Sequence, residues 1–145
     1  MTAVDITGRE YPAVGPYHVG TEEIRNFAAA VKNTNAMHYD VEAARKAGHK
    51  DLVAPPTFLV SIAQRAEALM VNDPEAEVDF ARVVHSDQRF THHRAVVAGD
   101  ELFAQATVTA VKELAGNRLV TTETAVTNAD QAPVATITST LLIRA

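Results

Sequence analysis

The sequence predicts an α+β domain, in which a helical half is followed by a half built of antiparallel strands. Apolar residues recur every three to four positions as far as Val71, and at every second position after Glu75. Turn sequences such as Ala115-Gly116-Asn117 divide the second half into successive strands, which favours antiparallel pairing. One strongly apolar helix precedes the strands, and we expect the sheet to wrap around it.

Two helices are predicted in the first third of the chain. The first begins at Thr21, which is a suitable N-cap, and ends near Lys32 or Asn33. Its apolar face consists of Ile24, Phe27, Ala28 and Val31. A shorter helix is predicted for Val41–Ala47, capped by Asp40 and stopped by the glycine that follows.

The third predicted helix is the most buried element, and all the strands follow it. It begins at Pro56, because proline suits the first helical position, and it ends at Asn72-Asp73-Pro74. Its wide apolar face consists of Phe58, Leu59, Ile62, Ala63, Ala66, Leu69 and Met70. Strands are predicted over 78–84, 88–94, 102–111, 118–127 and 134–143.

Composition indicates one globular domain, 1–145, and excludes several classes of partner. The chain has 145 residues, of which 47% are hydrophobic and 21% charged, enough for a single core. Because Lys and Arg are not clustered and the net charge is -5, we expect neither a nucleic acid nor a membrane partner. The absence of Cys excludes thiol chemistry and is consistent with a cytoplasmic location. No nucleotide-binding, hydrolase or zinc-protease motif is present, so no cofactor and no metal are expected.

Five of the six histidines show no spacing that indicates a metal or catalytic site. The adjacent His92 and His93 lie in a predicted strand, so their side chains are expected on opposite faces and do not ligate one metal. Three others are His18, His49 and His85. These three lack helical ligand spacing or a nearby acid, and we interpret all five as ordinary surface or half-buried residues.

The strongest functional signal lies in Val31–His38 and Leu52–Phe58. In these segments the chain resembles the MaoC-like family of (R)-specific enoyl hydratases and (3R)-hydroxyacyl thioester dehydratases. In that family a Gly-Asp-x-Asn-Pro-hydrophobe-His motif follows the first helix, and Ala-His-Gly-Met opens the central helix. The Asn and His of the first motif correspond to Asn35 and His38, and the second motif corresponds to Ala54–Thr57.

The resemblance covers most of the chain and implies a hot-dog fold, an antiparallel sheet wrapped around one long central helix. It continues through Gln88–Phe90 and Val97–Asp100. The segment Ala54–Phe58 is similar to an actinobacterial subgroup that includes auxiliary subunits of heterodimeric dehydratases. The resemblance also implies a homodimer, or a heterodimer with a catalytic hot-dog subunit, and an interface tunnel for a thioester of CoA or acyl carrier protein.

Three positions depart from the family motifs, two of them where the chemistry takes place. Asn33 replaces an Asp that, with the His, positions a water or hydroxyl and moves protons on the thioester. An amide is not a general base, and losing one typically removes about 10²–10⁴ in rate. Pro56 replaces a Gly whose N–H binds the thioester oxygen, and such a loss costs roughly 2.7–4 kcal/mol. The Thr57 N–H is a candidate substitute, and Lys32 replaces a Gly beside the site.

The resemblance implies catalytic positions at His38 and Asn33. The residues it implies for substrate binding are Asn35, Ala54, Pro56, Thr57, Phe58 and Arg89. Several have a purely structural alternative: Asn33 is suited to end the first helix in a left-handed conformation, and His38 to be a half-buried hydrogen-bonded residue. Pro55-Pro56 is suited to start a helix. For Arg89 we prefer an ion pair with an acid on the sheet.

The residues therefore support two main hypotheses. In the first, the chain is an auxiliary subunit that binds substrate while a partner supplies the intact Asp and His. In the second, it is itself a weak hydratase that uses His38 as the base. A non-enzymatic acyl-thioester binding protein is a further alternative. A hot-dog thioesterase ranks last, because Thr57–Ser61 contains no carboxylate.

Overall fold

The structure is a computed structural model that describes residues 4–145, and within them it confirms the α+β architecture. Helices α1, α2 and α3 span Thr21–Ala30, Val41–Lys46 and Val60–Val71. Strands β1 to β5 span Val14–His18, Val83–His92, Glu101–Leu114, Asn117–Asn128 and Pro133–Ile143. Short 3₁₀ turns are formed by Ala36–His38, Pro74–Ala76 and Phe80–Arg82.

The five strands form one antiparallel sheet in the order β1-β3-β4-β5-β2. The consecutive long strands β3, β4 and β5 are neighbours, as their short turn sequences predict. Strand β2 pairs only with β5 among the described residues, so its other edge is open. A register shift between His85 and Asp87 interrupts this edge strand. This open edge belongs to the strand that follows α3 in the chain.

Helix α3 lies against the inner face of the sheet, chiefly on β3 and β4, and this contact forms the core. The buried residues of α3 are Ile62, Ala63, Ala66, Glu67 and Met70. Facing positions alternate along β3, where Leu102, Ala104, Ala106 and Val108 are buried. The two alanines are small enough to let the helix approach the sheet closely. The sheet wrapped around α3 is the arrangement that the hot-dog resemblance implies.

The helix boundaries differ from prediction at three ends. Helix α1 begins at Thr21, but its N-cap is Gly20 and no side chain caps it, so Thr21 is not the cap. The helix ends at Ala30, earlier than predicted, because Lys32 adopts a left-handed conformation with φ 58°. Helix α3 begins at Val60, since the segment 56–59 forms a turn before it.

The prediction for α2 is confirmed at its start, where the Asp40 carboxylate accepts the Glu42 N–H at 3.0 Å. The two strands predicted over 78–84 and 88–94 are wrong as separate elements. Residues 83–92 form the single strand β2, and the beginning of the first predicted strand is loop and the 3₁₀ turn Phe80–Arg82 instead. Strand β1 was not predicted, because it is short, largely exposed and contains Gly15 and Pro16, which are unfavourable inside strands but tolerated at an edge.

Candidate active site

The chain leaves α1 through a left-handed residue, and that residue is Lys32. The Asn33 N–H then donates to the Ala28 carbonyl at 2.8 Å, which closes the end of the helix. The interpretation that Asn33 itself takes the left-handed conformation is therefore wrong. Lys32 stands where the resembling family has Gly, a residue that adopts a left-handed conformation without strain.

The loop after α1 is held by its own side chains. The Asn33 Oδ1 accepts the Asn35 N–H at 3.0 Å, and the Asn35 Oδ1 accepts the Met37 N–H at 3.0 Å. The Tyr39 hydroxyl donates to the Asn33 carbonyl at 2.6 Å. A carboxylate at position 33 would accept the same N–H, so the loop geometry suits an Asp as well as an Asn. Asn35 is exposed, and the contact it makes is the cap of the short turn that carries His38.

His38 is buried, with 4% of its surface exposed, and its imidazole is oriented by the backbone. Its Nδ1 lies 2.6 Å from the Val53 carbonyl. Because a carbonyl only accepts, Nδ1 is the donor in this bond. No group within residues 4–145 hydrogen-bonds to Nε2. The bond therefore orients the ring and leaves Nε2 as the ring nitrogen without a partner in the described part of the chain.

A cavity of about 370 Å³ has Val53, whose carbonyl contacts the His38 imidazole, in its wall. It is lined by Val53, Ala54, Pro55, Pro56, Leu59 and residues 92–96. His38 is connected to the cavity wall through the Val53 carbonyl but does not itself line the cavity. The Ala54 N–H donates to the Val96 carbonyl at 2.8 Å, so it is not free to bind a ligand. His92, which the sequence does not single out, places its Nε2 2.8 Å from the Pro56 carbonyl.

The turn before α3 presents a free backbone donor at an exposed residue, Thr57. Pro56 has no N–H. The Phe58 N–H donates to the Pro55 carbonyl at 3.0 Å, and the Val60 N–H donates to the Thr57 carbonyl at 3.1 Å. The Thr57 N–H has no acceptor in the part of the chain that the structure describes. Thr57 is exposed, so its N–H is the first donor after Pro56 that a ligand oxygen is able to reach.

Two residues expected to bind substrate lie elsewhere. Phe58 is 3% exposed and packs edge-to-face on Phe27 and Tyr17, with ring centroids 5.5 and 6.5 Å apart. The Phe58 side chain is therefore part of the hydrophobic core. Arg89 is exposed, has no acidic partner within the described residues and lines no cavity described here. The preferred ion pair of Arg89 is therefore wrong.

Glu67 is a buried carboxyl that the sequence shows only as an interruption of an apolar stretch. It is 4% exposed and faces the sheet from α3. Burial raises its pKa, while hydrogen bonds from Ser139 and Thr122 and the charge of His85 partly oppose that shift. The spacing could have indicated that Glu67 is buried, because it follows the buried Ala63 by four positions and so lies on the same face of the helix.

The raised pKa of Glu67 predicts a pH-dependent stability. The folded state holds this proton more tightly than the unfolded chain, so its stabilising contribution is complete below the ordinary glutamate pKa of about 4.3 and is lost as the pH rises. We expect the melting temperature of Glu67→Gln, relative to that of the wild type, to rise progressively as the pH increases from acid to neutral. Thermal unfolding over a pH series measures this difference. Glu123→Gln, at an exposed position of β4, is the matched control, and a Glu67→Gln difference independent of pH would contradict the prediction.

The described part of the chain forms neither a metal-binding cluster nor a membrane-spanning helix. Within residues 4–145, no group of three or more His, Asp or Glu side chains is arranged to hold a metal ion. No helix formed by these residues is long and apolar enough to cross a membrane.

The family comparison agrees with the fold. The family model described as FAS1-like, dehydratase domain region, matches residues 5–137. The chain belongs to this dehydratase family. A UPF0336 protein of Leifsonia xyli is 52% identical over 139 residues, which are 96% of this chain and 93% of the relative. A UPF0336 protein of Saccharopolyspora erythraea is 44% identical over 137 residues, which are 94% of this chain and 88% of the relative.

Solved structures agree with the same MaoC-like assignment. The C-terminally truncated HadBC (3R-hydroxyacyl-ACP dehydratase) complex from Mycobacterium tuberculosis has a chain with TM-score 0.85 and 34% identity. That match covers 97% of this chain and 99% of the other. A MaoC-like dehydratase has TM-score 0.88 and 30% identity, over 96% of this chain and 42% of that one. The hot-dog fold and membership of the MaoC-like dehydratases are thus confirmed, while the roles of His38 and Asn33 stay predictions.

Proposed function

We propose that this dehydratase family member is the substrate-binding, auxiliary subunit of a (3R)-hydroxyacyl thioester dehydratase. The observation that carries the proposal is an intact scaffold with two chemical groups missing. The loop that orients His38 and the turn before α3 are well formed, yet Asn33 stands where the family has a carboxylate and Pro56 where it has a donor N–H. Such a subunit retains binding geometry while its chemistry is impaired.

The dehydration reaction defines what the missing groups would do. A base removes the proton at the α carbon, electrons shift onto the thioester oxygen, and the β hydroxyl leaves as water after it is protonated. His38 Nε2 is able to accept one proton, but the Asn33 amide neither accepts nor supplies one at neutral pH. Each defect alone typically lowers the rate by about 10²–10³ or more. Two defects at different functions favour a partner that supplies the chemistry.

The open edge of β2 supports assembly with a second hot-dog subunit. An unpaired edge strand presents free backbone N–H and C=O groups that another strand satisfies. Two large apolar side chains in this strand and in the turn before it are exposed, Val84 at 45% and Phe80 at 76%. The similar HadBC structure is itself a complex. A heterodimer in which the partner carries the intact Asp and His is the assembly we propose, in a pathway that handles acyl thioesters.

We expect the purified chain alone to hydrate a short 2-enoyl thioester no faster than the enzyme-free background. Mixing it with the catalytic hot-dog subunit of the same organism should yield a heterodimer with activity. Loss of the absorbance of the conjugated thioester measures the rate, and size-exclusion chromatography measures assembly. Robust activity of the isolated chain that His38→Ala abolishes would overturn the auxiliary role.

The second candidate, a self-sufficient weak hydratase, is favoured by one specific observation. The His38 Nε2 and the Thr57 N–H both lack partners within residues 4–145, so one base and one oxyanion donor are free. In this case the isolated chain would show slow turnover that depends on His38. The same assay therefore separates the two candidates.

A further inference from the structure

His92 connects the edge strand β2 to the turn before α3. Its Nε2 lies 2.8 Å from the Pro56 carbonyl, and because a carbonyl only accepts, Nε2 is the donor in this bond. The two residues are 36 positions apart in the chain. In the part of the chain that the structure describes, the Pro56 carbonyl accepts no backbone N–H, so the imidazole is the group that binds it.

The bonded carbonyl and the free donor of the turn belong to one peptide group. The C=O of Pro56 and the N–H of Thr57 lie on either side of the peptide bond that joins these two residues. A peptide group is planar, and in its trans form the C=O and the N–H point in opposite directions. Whatever fixes the direction of the Pro56 carbonyl therefore fixes the direction of the Thr57 N–H.

The turn itself does not fully fix this peptide group. The Phe58 N–H donates to the Pro55 carbonyl at 3.0 Å, so residues 55–58 form a hydrogen-bonded turn with Pro56 and Thr57 at its centre. The central peptide group faces opposite ways in type I and type II turns, although the closing hydrogen bond is the same. The proline ring fixes φ of Pro56 but not ψ, and rotation about ψ turns this plane.

Two features select the orientation that the structure shows. Thr57 is not among the described residues with positive φ, which a type II turn requires at its position, and its β-branched side chain opposes that conformation. The bond from His92 also opposes smaller rotations, because they move the Pro56 carbonyl away from Nε2. The threonine therefore disfavours the flipped turn, and the imidazole sets the angle of the plane within the range that remains.

The imidazole is itself held in place on its strand. His92 and Phe90 are two positions apart on β2, so their side chains project from the same face of the strand. Their rings are nearly parallel, at 3° to each other, with centroids 6.0 Å apart. The backbone of His92 pairs with Ala135 of β5. A donor on a paired strand with a stacked ring has little freedom to follow a moving carbonyl, so it is suited to fix the turn.

We propose that His92 is a positioning residue, which holds the peptide group between Pro56 and Thr57 so that the Thr57 N–H points at the oxygen of a bound thioester. Such a donor stabilises developing charge best when its direction is set before the ligand arrives. A hydrogen bond to the carbonyl also polarises the peptide group and strengthens its N–H as a donor. The proposal rests on the proposed function, because it requires the chain to bind an acyl thioester at this turn.

Infrared difference spectroscopy of the full chain tests the proposal. The probe is S-octanoyl-N-acetylcysteamine, isotopically labelled at the thioester carbonyl carbon, and it is saturated, so the chain is unable to hydrate it. A hydrogen bond to the labelled carbonyl lowers its stretching frequency. We expect the wild type to lower this frequency on binding and His92→Phe to lose most of that effect. We also expect His92→Phe to bind the probe about two- to tenfold more weakly, and His92→Gln to resemble the wild type.

The choice of variants separates positioning from a purely structural role. Phenylalanine keeps an aromatic ring beside Phe90 but has no donor, whereas the glutamine amide nitrogen donates and is as many bonds from Cβ as the imidazole Nε2. His92 is exposed, so neither substitution opens a cavity in the core. His18→Phe, at an exposed position of β1 on the opposite edge of the sheet, is the matched control and should resemble the wild type. Thermal unfolding establishes that each variant is folded.

The outcomes distinguish this proposal from the proposed function. If the probe binds and His92→Phe lowers the carbonyl frequency as much as the wild type does, acyl binding holds and the positioning role is overturned. Binding without any lowering in the wild type would overturn it too, because the Thr57 N–H would then not contact the oxygen. An equal loss in His92→Gln and His92→Phe would contradict it, since the retained donor should preserve the bond. If the probe does not bind at all, the binding role fails and the positioning role fails with it.

Discussion

Asn33→Asp combined with Pro56→Gly is expected to raise the hydratase turnover of the isolated chain by about 10²–10⁴-fold. The carboxylate restores a group that takes and returns a proton, and the glycine restores a backbone donor at the turn before α3. The surrounding geometry is already suitable. Asn33 Oδ1 accepts the Asn35 N–H, which an aspartate would accept equally, and the Pro56 carbonyl that His92 contacts is unchanged by the substitution.

The chain offers a matched control for this double variant. Asn35→Asp introduces the same charge in the same loop, where the side chain also accepts a backbone N–H, but it does so at an exposed capping position. We expect no gain in turnover from it. Each single variant should recover only part of the gain, because the two groups serve different steps. A folded double variant with no turnover would contradict the prediction and would mean that the pocket differs from an active one at further positions.

Ile62→Ala is expected to lower the free energy of unfolding by about 2–5 kcal/mol. Ile62 is 1% exposed on the face of α3 that packs on the sheet, and its loss leaves a cavity that the strands cannot close without breaking their pairing. Denaturant unfolding followed by circular dichroism measures the change. Leu69→Ala on the same helix is the control, since Leu69 is 37% exposed and its truncation should cost on the order of 0.5 kcal/mol. Equal losses for the two variants would contradict the packing described here.

Much of the fold follows from local patterns in the sequence. The capping of α2 by Asp40, the end of α3 before Asn72 and the long strands β3, β4 and β5 all depend on residues close to one another in the chain. Their period and turn residues are sufficient to predict them. Where local preference is weak, as in β1 and at the start of β2, the sequence prediction fails, because pairing with a distant strand decides those elements.

The candidate site, like the fold, is predicted only in part from the sequence. The sequence identifies His38 and Asn33 through a motif, and the structure brings them into one hydrogen-bonded loop. It also assigns Phe58 and Arg89 to the substrate, whereas Phe58 packs in the core and Arg89 is exposed away from the cavities. Whether a side chain at a given position faces core, cavity or solvent depends on helix packing and strand register, which are set by contacts distant in the chain.

The sequence by itself therefore determines the fold class, the central apolar helix, the family and the departures from its motifs at Asn33 and Pro56, because periodicity, motifs and residue identity are local properties. Only the tertiary structure decides that Nε2 is the free nitrogen of His38, since the Val53 carbonyl that binds Nδ1 lies fifteen positions away in the chain. It likewise decides that Glu67 meets Thr122 and Ser139, which come from two different strands. Contacts of this kind arise from strand register and helix packing, and no local pattern encodes them.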